Sequence, residues 1–482
     1  MRVSALAGAP SRSFTAMVTN ELSAAKLLTF LLLLTGCSVR EDNVAPQPNV
    51  LFIAVDDLND WVDVLGGHPG TFTPHINRLA SQGTLFSNAY CVAPSCNPSR
   101  VAVLTGIRPS TSGVYSNVQA MRESPLLADA WTIPQYFRQH GYKVMGSGKI
   151  FHAGFPDPVS WDVYWPSHSV TKPMDPVLPV RTLDSRLMDS LGYGEKFGGW
   201  DWGPLGEADT AMGDWKVTDW VIGQLRKDHD KPFFLACGIS KPHLKWHVPA
   251  KYFDLYPLQE VRLPLVKEDD LADIPPAGSA FVRSTEHQKV LESQQWHRAV
   301  QAYQASITFA DVCVGRVLDA LERSRYNRNT IVVLWSDHGF ALGEKQHWRK
   351  FVLWEDVIKT VFVIHDTRDA SKGHKVEDPV SLLDIYPTLV DLCGLTPKKE
   401  LEGNDLSSLL KNPAIFWNKP VLTTHNRGNH SLRWRNWHYI RYADGSQELY
   451  DLNKDPHEWE NLADEKAYAW VIRKLAKDLP RT

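Results

Sequence analysis

The chain has few cysteines, little net charge and no long hydrophobic run. Six Cys among 482 residues are too few for a small disulfide-stabilised scaffold. The 52 Lys and Arg against 55 Asp and Glu leave a formal charge of −3, which excludes nucleic-acid binding through bulk positive charge. The apolar run at residues 27–34 is far shorter than the roughly 20 residues that a membrane-spanning helix needs. No CxxC pair, Walker-type loop or GxGxxG motif occurs, so these zinc and nucleotide signatures are absent.

The chain does have enough apolar sequence for a large core. Hydrophobic residues make up 43% and charged residues 22% of it, which excludes an intrinsically disordered protein. The 18 Trp residues are a surplus. Most Trp side chains anchor cores or interfaces, but a surplus also suits surfaces that stack sugars, and the sequence leaves both alternatives open.

Residues 1–36 predict an export signal, with positive charge before the apolar run and small residues after it. Leu34–Cys37 resembles the bacterial lipoprotein box, in which the Cys becomes the lipidated first residue. An ordinary signal peptide with an incidental Cys is the alternative, and Met17 is an alternative start. We therefore expect an exported protein, in the periplasm or at the cell surface, that contacts a bacterial membrane only through lipid on Cys37. Residues 37–48 are polar and suit a tether.

Strand-like and helix-like segments alternate after residue 48. Continuous apolar runs predict buried strands at 49–55, 142–145, 233–237 and 330–335. Apolar residues at helical spacing predict an amphipathic helix at 302–322. This alternation predicts an α/β fold with a mostly parallel sheet flanked by helices. Two of the strands end in acids, Asp56-Asp57 and Asp337, at the sheet edge where such folds place their sites.

The pattern changes after about residue 398. Short aromatic strands between Trp434 and Tyr442 and a turn at Asp444-Gly445 predict antiparallel pairing. We expect a main domain at 49–398 and a smaller C-terminal α+β subdomain, with a short antiparallel sheet, at 399–482.

The segment that begins at Cys96 contains the motif that says most about catalysis. Pro98 suits the first turn of a helix and Gly106 suits its end. Cys96 is therefore expected at a helix N-terminus, where backbone N–H groups favour anions. Residues 96–106 read Cys-x-Pro-Ser-Arg-x-x-x-Leu-Thr-Gly. This pattern resembles the signature of type I sulfatases, in which the Cys is converted to formylglycine.

Further matches follow in the order of that family. Residues 141–152 resemble its second signature, in the Gly-Lys-x-Phe-His form of the iduronate-2-sulfatase-like branch. Lys241-Pro242-His243 and residues 336–350 suggest the same branch. The resemblance extends from residue 49 to about residue 463. It implies an alkaline-phosphatase-like fold with the sulfatase catalytic domain at 49–398.

The resemblance implies a divalent cation held by Asp56, Asp57, Asp337, His338 and the modified Cys96. Carboxylates are hard oxygen ligands, which favours Ca²⁺, with Mg²⁺ as the alternative. Many sulfatases have Asn in place of His338, and nitrogen is a less usual ligand for Ca²⁺. The iduronate-2-sulfatase-like branch has His at this position.

The resemblance also implies the catalytic roles. One hydroxyl of the hydrated formylglycine attacks sulfur, and deprotonation of the other releases sulfate. Arg100 steadies the nucleophile, while Lys149 and Lys350 bind sulfate oxygens as compact charges. His152 takes the proton that drives release, and His243 protonates the leaving sugar oxygen.

The implied activity is hydrolysis of sulfate esters in sulfated oligo- or polysaccharides, with 2-O-sulfated uronates as the substrates of the branch. A formylglycine-generating maturation enzyme is the implied partner. Trp348 is expected to bind substrate; like Trp61, Trp246 and Trp354, it lies near the motifs and either forms a sugar platform or packs the wall of the site.

Two other functions stay open on the sequence. One is a phosphodiesterase or phosphonate hydrolase on the same fold, and the other is a non-catalytic glycan-binding lipoprotein. The remaining cysteines are expected to be buried free thiols rather than a disulfide framework: Cys91, Cys237, Cys313 and Cys393.

Overall fold

The computed structural model of the chain describes residues 47–176, 200–369 and 373–480. They belong to one unit, which spans residues 47–482. The expected export signal, Cys37 and all but the last two residues of the expected tether lie outside the described residues. Within the described part of the chain, no helix is both long and apolar enough to cross a bilayer.

Short and long strands run through the whole described chain. They are β1 Asn49–Asp56, β2 Thr84–Phe86, β3 Ala89–Tyr90, β4 Lys143–Gly148, β5 Val163–Trp165, β6 Trp202–Leu205, β7 Phe233–Pro242, β8 Trp246–Pro249, β9 Thr330–Ser336, β10 Ala341–Leu342, β11 Trp348–Arg349, β12 Lys359–Thr360, β13 Phe362–Asp366, β14 His374–Val376, β15 Val380–Ser381, β16 Val421–His425, β17 Asn429–Trp434, β18 Trp437–Arg441 and β19 Gln447–Asp451.

Helices connect and cover these strands. They are α1 Pro74–Gln82, α2 Cys96–Thr105, α3 Pro109–Ser112, α4 Ile133–Gln139, α5 Gly213–Leu225, α6 Ala250–Phe253, α7 Pro276–Ser279, α8 Ser284–Glu292, α9 Trp296–Glu322, α10 Glu355–Ile358, α11 Ile385–Leu392, α12 Ser407–Lys411 and α13 Ala469–Leu475.

The central sheet has the strand order β14-β2-β13-β9-β1-β7-β4-β5. Strands β9, β1, β7, β4 and β5 are parallel, and β13 is antiparallel to both β9 and β2. The expected mostly parallel sheet is therefore confirmed. Every residue of β1 is buried, because alternate side chains enter the hydrophobic core on opposite faces of the sheet.

Helices cover both faces of this sheet, as expected. Helices α1, α5 and α9 share one core with Leu51 and Ile53, whereas α2, α4 and α11 share the other core with Phe52. The long helix predicted at 302–322 is present and begins earlier, at Trp296.

The acid-bearing ends of β1 and β9 meet at one edge of the sheet. Val55 lies opposite Ser336 in the parallel register, so the residues that follow each strand are neighbours. The backbone N–H of Asp57 donates to Asp337 Oδ1 over 3.1 Å. Asp57 has φ +59°, in the left-handed region that non-glycine residues seldom occupy. Backbone strain of this kind concentrates at functional sites.

The C-terminal part contains the expected antiparallel sheet, in the order β16-β17-β18-β19. Helix α13 packs on it through Val471 and Leu475. Strands β17 and β18 meet at a turn in which Trp434 faces Trp437. The predicted turn at Asp444-Gly445 follows β18, and Gly445 has φ +93°, which suits glycine. The boundary at 398/399 stays a prediction.

The four cysteines expected to be inert are free and buried: Cys91, Cys237, Cys313 and Cys393. Burial disfavours the charged thiolate and raises the pKa of each of these thiols, to about 12 for Cys393. They therefore behave as small apolar side chains at neutral pH.

Candidate active site

The site lies where the ends of β1 and β9 meet the N-terminus of α2. Ser95 has an extended backbone and Cys96 is the first helical residue, as predicted. Gly106 ends the helix with φ +74°, the left-handed conformation expected of a C-terminal glycine. Asn117 Oδ1 accepts hydrogen bonds from Ser95 Oγ and from the N–H of Asn97, both over 2.8 Å. These contacts fix the turn that presents Cys96.

The Cys96 thiol is surrounded by charged side chains from distant parts of the chain. Its Sγ lies 2.8 Å from Lys350 Nζ and 3.8 Å from Lys149 Nζ. His338 Nε2 is 3.4 Å away and Asp57 Oδ1 is 3.9 Å away. Two lysines and the helix N-terminus therefore place positive potential at one buried sulfur atom.

The charges around Cys96 shift its ionisation. Burial opposes the charged thiolate, but Lys149 and Lys350 outweigh it and hold the pKa of Cys96 well below its ordinary value. Burial likewise opposes a charged Lys350, yet Asp57 and Cys96 raise the pKa of that lysine. The pocket is therefore built to hold negative charge at position 96.

Arg100 lies one helical turn after Cys96 and is completely buried. Its Nε donates to Asp337 Oδ2 over 2.8 Å, and its Nη2 donates to Asp56 Oδ1 over 2.9 Å. Its Nη1 donates to the carbonyls of Lys149 and Ile150. One rigid guanidinium thus joins the ends of β1, β4 and β9 and fixes the two carboxylates that flank Cys96.

Two overlapping sets of side chains are close enough to share a cation. Asp57, Cys96, Asp337 and His338 each offer an atom within 4.8 Å of the others, and so do Asp56, Asp57 and His243. The structure thus brings together every residue that the sequence predicts as a metal ligand. Three carboxylates with one imidazole are a hard donor set that suits Ca²⁺ or Mg²⁺. The residues present therefore fit a divalent cation.

The two acids at the end of β1 also contact lysines. Asp56 Oδ2 accepts from Lys149 Nζ over 2.5 Å, and Asp57 Oδ1 accepts from Lys350 Nζ over 2.7 Å. Burial would raise the pKa of Asp56, but Lys149 and Arg100 hold it well below the ordinary value. Burial raises the pKa of Asp337 in spite of Arg100. Of Asp56 and Asp337, Asp56 is therefore the more firmly ionised acid.

The two predicted proton-transfer histidines lie at the margin of this cluster. His243 Nε2 is 3.8 Å from Asp57 Oδ2, and its side chain is 36% exposed, so solvent reaches it. Burial and the charge of Lys149 lower the pKa of His152 to about 4. His152 is thus neutral at pH 7 and able to accept a proton. His338 differs, because Asp337 outweighs burial and raises its pKa to about 9.

Sequence reasoning missed the residues that hold the ends of β1 and β9. Tyr303 Oη donates to the carbonyl of Asp57 over 2.7 Å and accepts from the N–H of Asn59. Ser99 Oγ donates to the carbonyl of Asp337 over 2.6 Å. Ser99 lies inside the Cys96 motif, which is a signal for its role, whereas nothing in the sequence around Tyr303 points to it.

The structure corrects the prediction that Trp348 binds substrate. Trp348 is fully buried, donates from Nε1 to His287 Nδ1 over 3.1 Å and packs against Trp200. No face of its ring is open to a sugar. Trp61, Trp246 and Trp354 are buried as well, so packing of the walls is the alternative that holds for these four residues.

Comparison with known proteins agrees with this geometry. The family profile described as Sulfatase matches residues 48–395, and that of N-sulphoglucosamine sulphohydrolase, C-terminal, matches residues 343–482. A sulfatase of Formosa agariphila is 38% identical over 447 residues, which cover 90% of this chain and 87% of the relative. The iduronate 2-sulfatase of Mus musculus is 30% identical over 428 residues, covering 78% of this chain and 74% of the relative.

Solved structures with the same fold include a complex with a sulfated sugar and a phosphonate hydrolase. One binds its substrate D-glucosamine-2-N,6-O-disulfate; its TM-score is 0.67 at 21% identity, over 90% of this chain and 97% of that chain. The other is the phosphonate monoester hydrolase of Agrobacterium radiobacter, with a TM-score of 0.68 at 22% identity over 90% and 94% of the two chains. These likenesses establish the fold.

Proposed function

Because the chain belongs to the sulfatase family and is therefore a sulfuric ester hydrolase, we propose that it removes sulfate from sulfated glycans. The iduronate 2-sulfatase among its relatives and the disulfated glucosamine in a structural neighbour support this substrate class. A 2-O-sulfated uronate or a related polysaccharide sulfate is the expected substrate. The observation that carries the proposal is the convergence of Lys149, Lys350 and the metal-type ligand set on Cys96.

Two groups complete the proposed site. A divalent cation, Ca²⁺ or Mg²⁺, held by Asp56, Asp57, Asp337, His338 and the residue at position 96, would supply fixed positive charge to the sulfate oxygens and the nucleophile. A formylglycine made from Cys96 would supply, when hydrated, one hydroxyl for attack and a second whose deprotonation allows sulfate to leave.

The side chains of the protein bind and orient the sulfate. Lys350 and Lys149 both contact the sulfur of Cys96. Their ammonium groups would therefore lie next to the oxygens of a sulfate that is attacked at position 96. Positive charge fixed there in advance stabilises the charge that develops in the transition state. Arg100 acts through Asp56 and Asp337, whose positions it fixes, rather than on the substrate.

The two histidines move protons at opposite stages. His243 is partly exposed beside Asp57, which suits a donor of a proton to the leaving sugar oxygen. Burial and Lys149 lower the pKa of His152 to about 4, so its imidazole is uncharged at neutral pH, the form that a proton acceptor needs. These environments support the roles of His243 as general acid and His152 as general base.

The maturation of Cys96 by a formylglycine-generating enzyme has a direct test. Protein produced together with such an enzyme should be about 18 Da lighter at residue 96 than the unmodified chain, as read by peptide mass spectrometry. The matured protein should hydrolyse p-nitrophenyl sulfate, and Cys96→Ala should not. A plain thiol protein with full activity would contradict the mechanism.

A phosphonate or phosphodiester hydrolase on this fold remains the second candidate, since a structural neighbour has that activity. The matured protein should be assayed on matched aryl sulfate and aryl phosphonate esters and on a panel of sulfated di- and polysaccharides. We expect kcat/KM for the sulfate to exceed that for the phosphonate. A higher kcat/KM for the phosphonate would instead indicate a phosphonate hydrolase. Glycan binding without turnover of either ester would indicate a binding protein.

The cellular location and the domain division are also part of the proposal. We propose export, attachment to the membrane through lipid on Cys37, and separate catalytic (49–398) and C-terminal (399–482) parts. Cys37→Ala should release the protein from the membrane fraction. Persistence of that variant with membranes at the level of the parent protein would remove the lipid anchor from the proposal.

A further inference from the structure

A cavity with a basic wall, of about 610 Å³, lies between the C-terminal ends of helices α5 and α9. Its lining among the described residues includes one carboxylate, that of Asp319, and five cationic side chains. The cations are Arg226, Lys227, Arg316, Arg323 and Arg325. Arg316 is partly buried and the other four are exposed. The cavity therefore presents positive charge to anions at the surface of the protein.

Two loops supply most of this charge. Residues 226–231 join α5 to β7, residues 323–329 join α9 to β9, and we name the two loops together the basic edge. They contain six Lys and Arg against two Asp, a balance of +4 in a chain whose formal charge is −3. Tyr326 Oη donates to the carbonyl of Lys227 over 2.8 Å, which ties one loop to the other.

The acids around the basic edge leave most of its charge unbalanced. Three acids of α5 and α9 form ion pairs with two cations outside the loops. The acids are Asp219, Asp319 and Glu322, and the cations are Arg78 and Arg316. This group therefore cancels only one of the four excess charges.

Two neighbouring cations of the first loop carry much of the excess. Lys227 Nζ donates to the uncharged amide oxygen of Gln224 over 3.2 Å. In the described part of the chain, no carboxylate pairs with Arg226 or Lys227. Both side chains are exposed, so both can meet an external anion.

The first described residues of the chain lie at the same edge of the sheet. The N–H of Asn49, at the start of β1, donates to the carbonyl of Asn329 over 2.8 Å. Asn49 Oδ1 accepts from the N–H of Phe233 over 3.0 Å, and Asn329 Nδ2 donates to the carbonyl of Gln47 over 3.1 Å. The chain therefore enters the described structure directly beside the two basic loops.

This position relates the basic edge to the proposed lipid anchor. Ten residue steps separate Cys37 from Gln47. A chain of ten residues reaches at most ~35 Å, so lipid on Cys37 would keep the basic edge near the bilayer. The active site lies at the other end of the same strands, since β9 runs from Thr330 to Ser336, next to Asp337. Seven strand residues rise by roughly 20 Å.

We propose that the basic edge binds the phosphate groups of anionic lipids and turns the active site of the anchored protein away from the membrane. The inference rests on the lipid anchor of the proposed function and adds a surface that this function does not use. An acyl anchor limits the distance of the protein from the bilayer, and a basic patch beside it adds a second attraction with a fixed direction. The active site then faces glycans in the aqueous phase.

Binding is measured by flotation with vesicles of phosphatidylcholine alone and of an equal mixture of phosphatidylcholine and phosphatidylglycerol. The parent protein is the full chain with Cys37→Ala, so that no lipid on Cys37 contributes. The test variant adds Arg226→Gln and Lys227→Gln. The matched control adds Arg473→Gln and Lys477→Gln instead, two exposed cations in and after α13, which packs on the antiparallel sheet.

We expect the parent to bind the mixed vesicles, to release them as salt is raised, and to ignore phosphatidylcholine alone. Arg226→Gln with Lys227→Gln should weaken binding to the mixed vesicles by roughly 10- to 30-fold, because each basic residue near an anionic surface adds attraction. The control should bind like the parent. Equal binding of the test variant and the parent, or an equal loss in the control, would overturn the inference.

A soluble sulfated glycan is the other polyanion that suits such a surface, and dextran sulfate is the probe for it. If the test variant loses affinity for dextran sulfate in calorimetry but keeps vesicle binding, the basic edge is a second glycan site and the membrane inference is wrong. Loss of vesicle binding with unchanged affinity for dextran sulfate supports the membrane.

The proposals on which this inference rests are judged separately. Mass spectrometry that finds no lipid on Cys37 of the membrane-extracted protein refutes the anchor, and a matured protein that hydrolyses no p-nitrophenyl sulfate refutes the sulfatase proposal. Neither result changes the vesicle measurement. Arg226→Gln with Lys227→Gln should keep the turnover of p-nitrophenyl sulfate, because the basic edge and Cys96 lie at opposite ends of the strands.

Discussion

Two buried ionic clusters of this protein contain the same residue types but differ in what the charges contact. In the active site, lysines, acids and a histidine converge on the single sulfur of Cys96. The second group, which we name the C-terminal cluster, joins the segment 343–358 to the antiparallel sheet. Its members are Asp270, Lys345, Glu355, Arg433, His438 and Glu458. Glu355, His438 and Glu458 also come close enough together to share a cation.

In the C-terminal cluster each of these side chains has a fixed polar partner. Lys345 Nζ donates to Asp270 Oδ1 over 2.8 Å and to the carbonyl of Glu458. Glu355 accepts from Tyr90 Oη and pairs with Arg433 over 3.1 Å. Proximity of ligand-type atoms is therefore weak grounds for a metal site. Convergence on one reactive atom beside a solvent-reachable histidine is what marks the active site.

The largest expected difference between the clusters is in metal content. Asp337→Asn keeps the size of a proposed ligand but removes its charge, so it should lose the bound divalent cation and at least roughly 100-fold in sulfate ester hydrolysis. Glu458→Gln should keep both. Elemental analysis and p-nitrophenyl sulfate turnover measure this. Loss of the cation in Glu458→Gln, or its retention at full rate in Asp337→Asn, would reverse the assignment of the two clusters.

Lys350 of the active site and Lys345 of the C-terminal cluster, five residues apart, provide a second test of the difference between the two clusters. Lys350→Met should lower activity by roughly 100-fold with little loss of stability, since the proposed divalent cation would still balance Asp57. Lys345→Met leaves Asp270 buried and unpaired, so we expect about 3–5 kcal/mol lower free energy of unfolding. Denaturant unfolding and steady-state kinetics separate the two effects. Equal loss of stability in both variants would argue against distinct roles.

The smallest expected effect is a pH dependence of stability. Burial raises the pKa of Glu458 to about 7, in spite of Lys345. The folded protein then binds this proton more tightly than the unfolded chain. The contribution of Glu458 to stability is therefore greatest below the ordinary glutamate pKa and decreases as pH rises towards 7. Glu458→Gln should flatten the unfolding free energy between about pH 4.5 and 7. If the unfolding free energy of Glu458→Gln depends on pH as in the parent protein, another group controls that dependence.

The sequence predicts the parts of the site that depend on local pattern. Residues 49–55 and 330–335 are short, mostly apolar runs, which favour strands buried on both faces in a chain that alternates strands and helices. Their parallel pairing brings Asp57 and Asp337 together. Cys96 at a helix start likewise follows from Pro98 and Gly106. The two strands and the helix start need no knowledge of distant contacts, whereas the pairing of the strands does.

Side-chain direction and long-range partners are what the sequence did not supply. Trp348 precedes Lys350 by two residues, yet it packs into the core while Lys350 reaches Cys96. Lys345 lies five residues before Lys350, and the fold directs its side chain to Asp270. The residues that line the cavity between Ser95, Phe351 and His425 come from five separate chain segments, so no local pattern brings them together.

The long sequence separation between Cys96 and its partners determines when Cys96 becomes buried during synthesis. Lys350 comes 254 residues after Cys96, and His338 comes 242 residues after it. At ordinary rates of translation the ribosome needs roughly 10 to 50 s to make that length of chain. During this interval the Cys96 motif is complete in sequence and Lys149 is added, but Lys350 is still missing, and His338 is missing for most of it. The Cys96 thiol is thus most accessible during synthesis of the chain, and it becomes buried when the central sheet assembles.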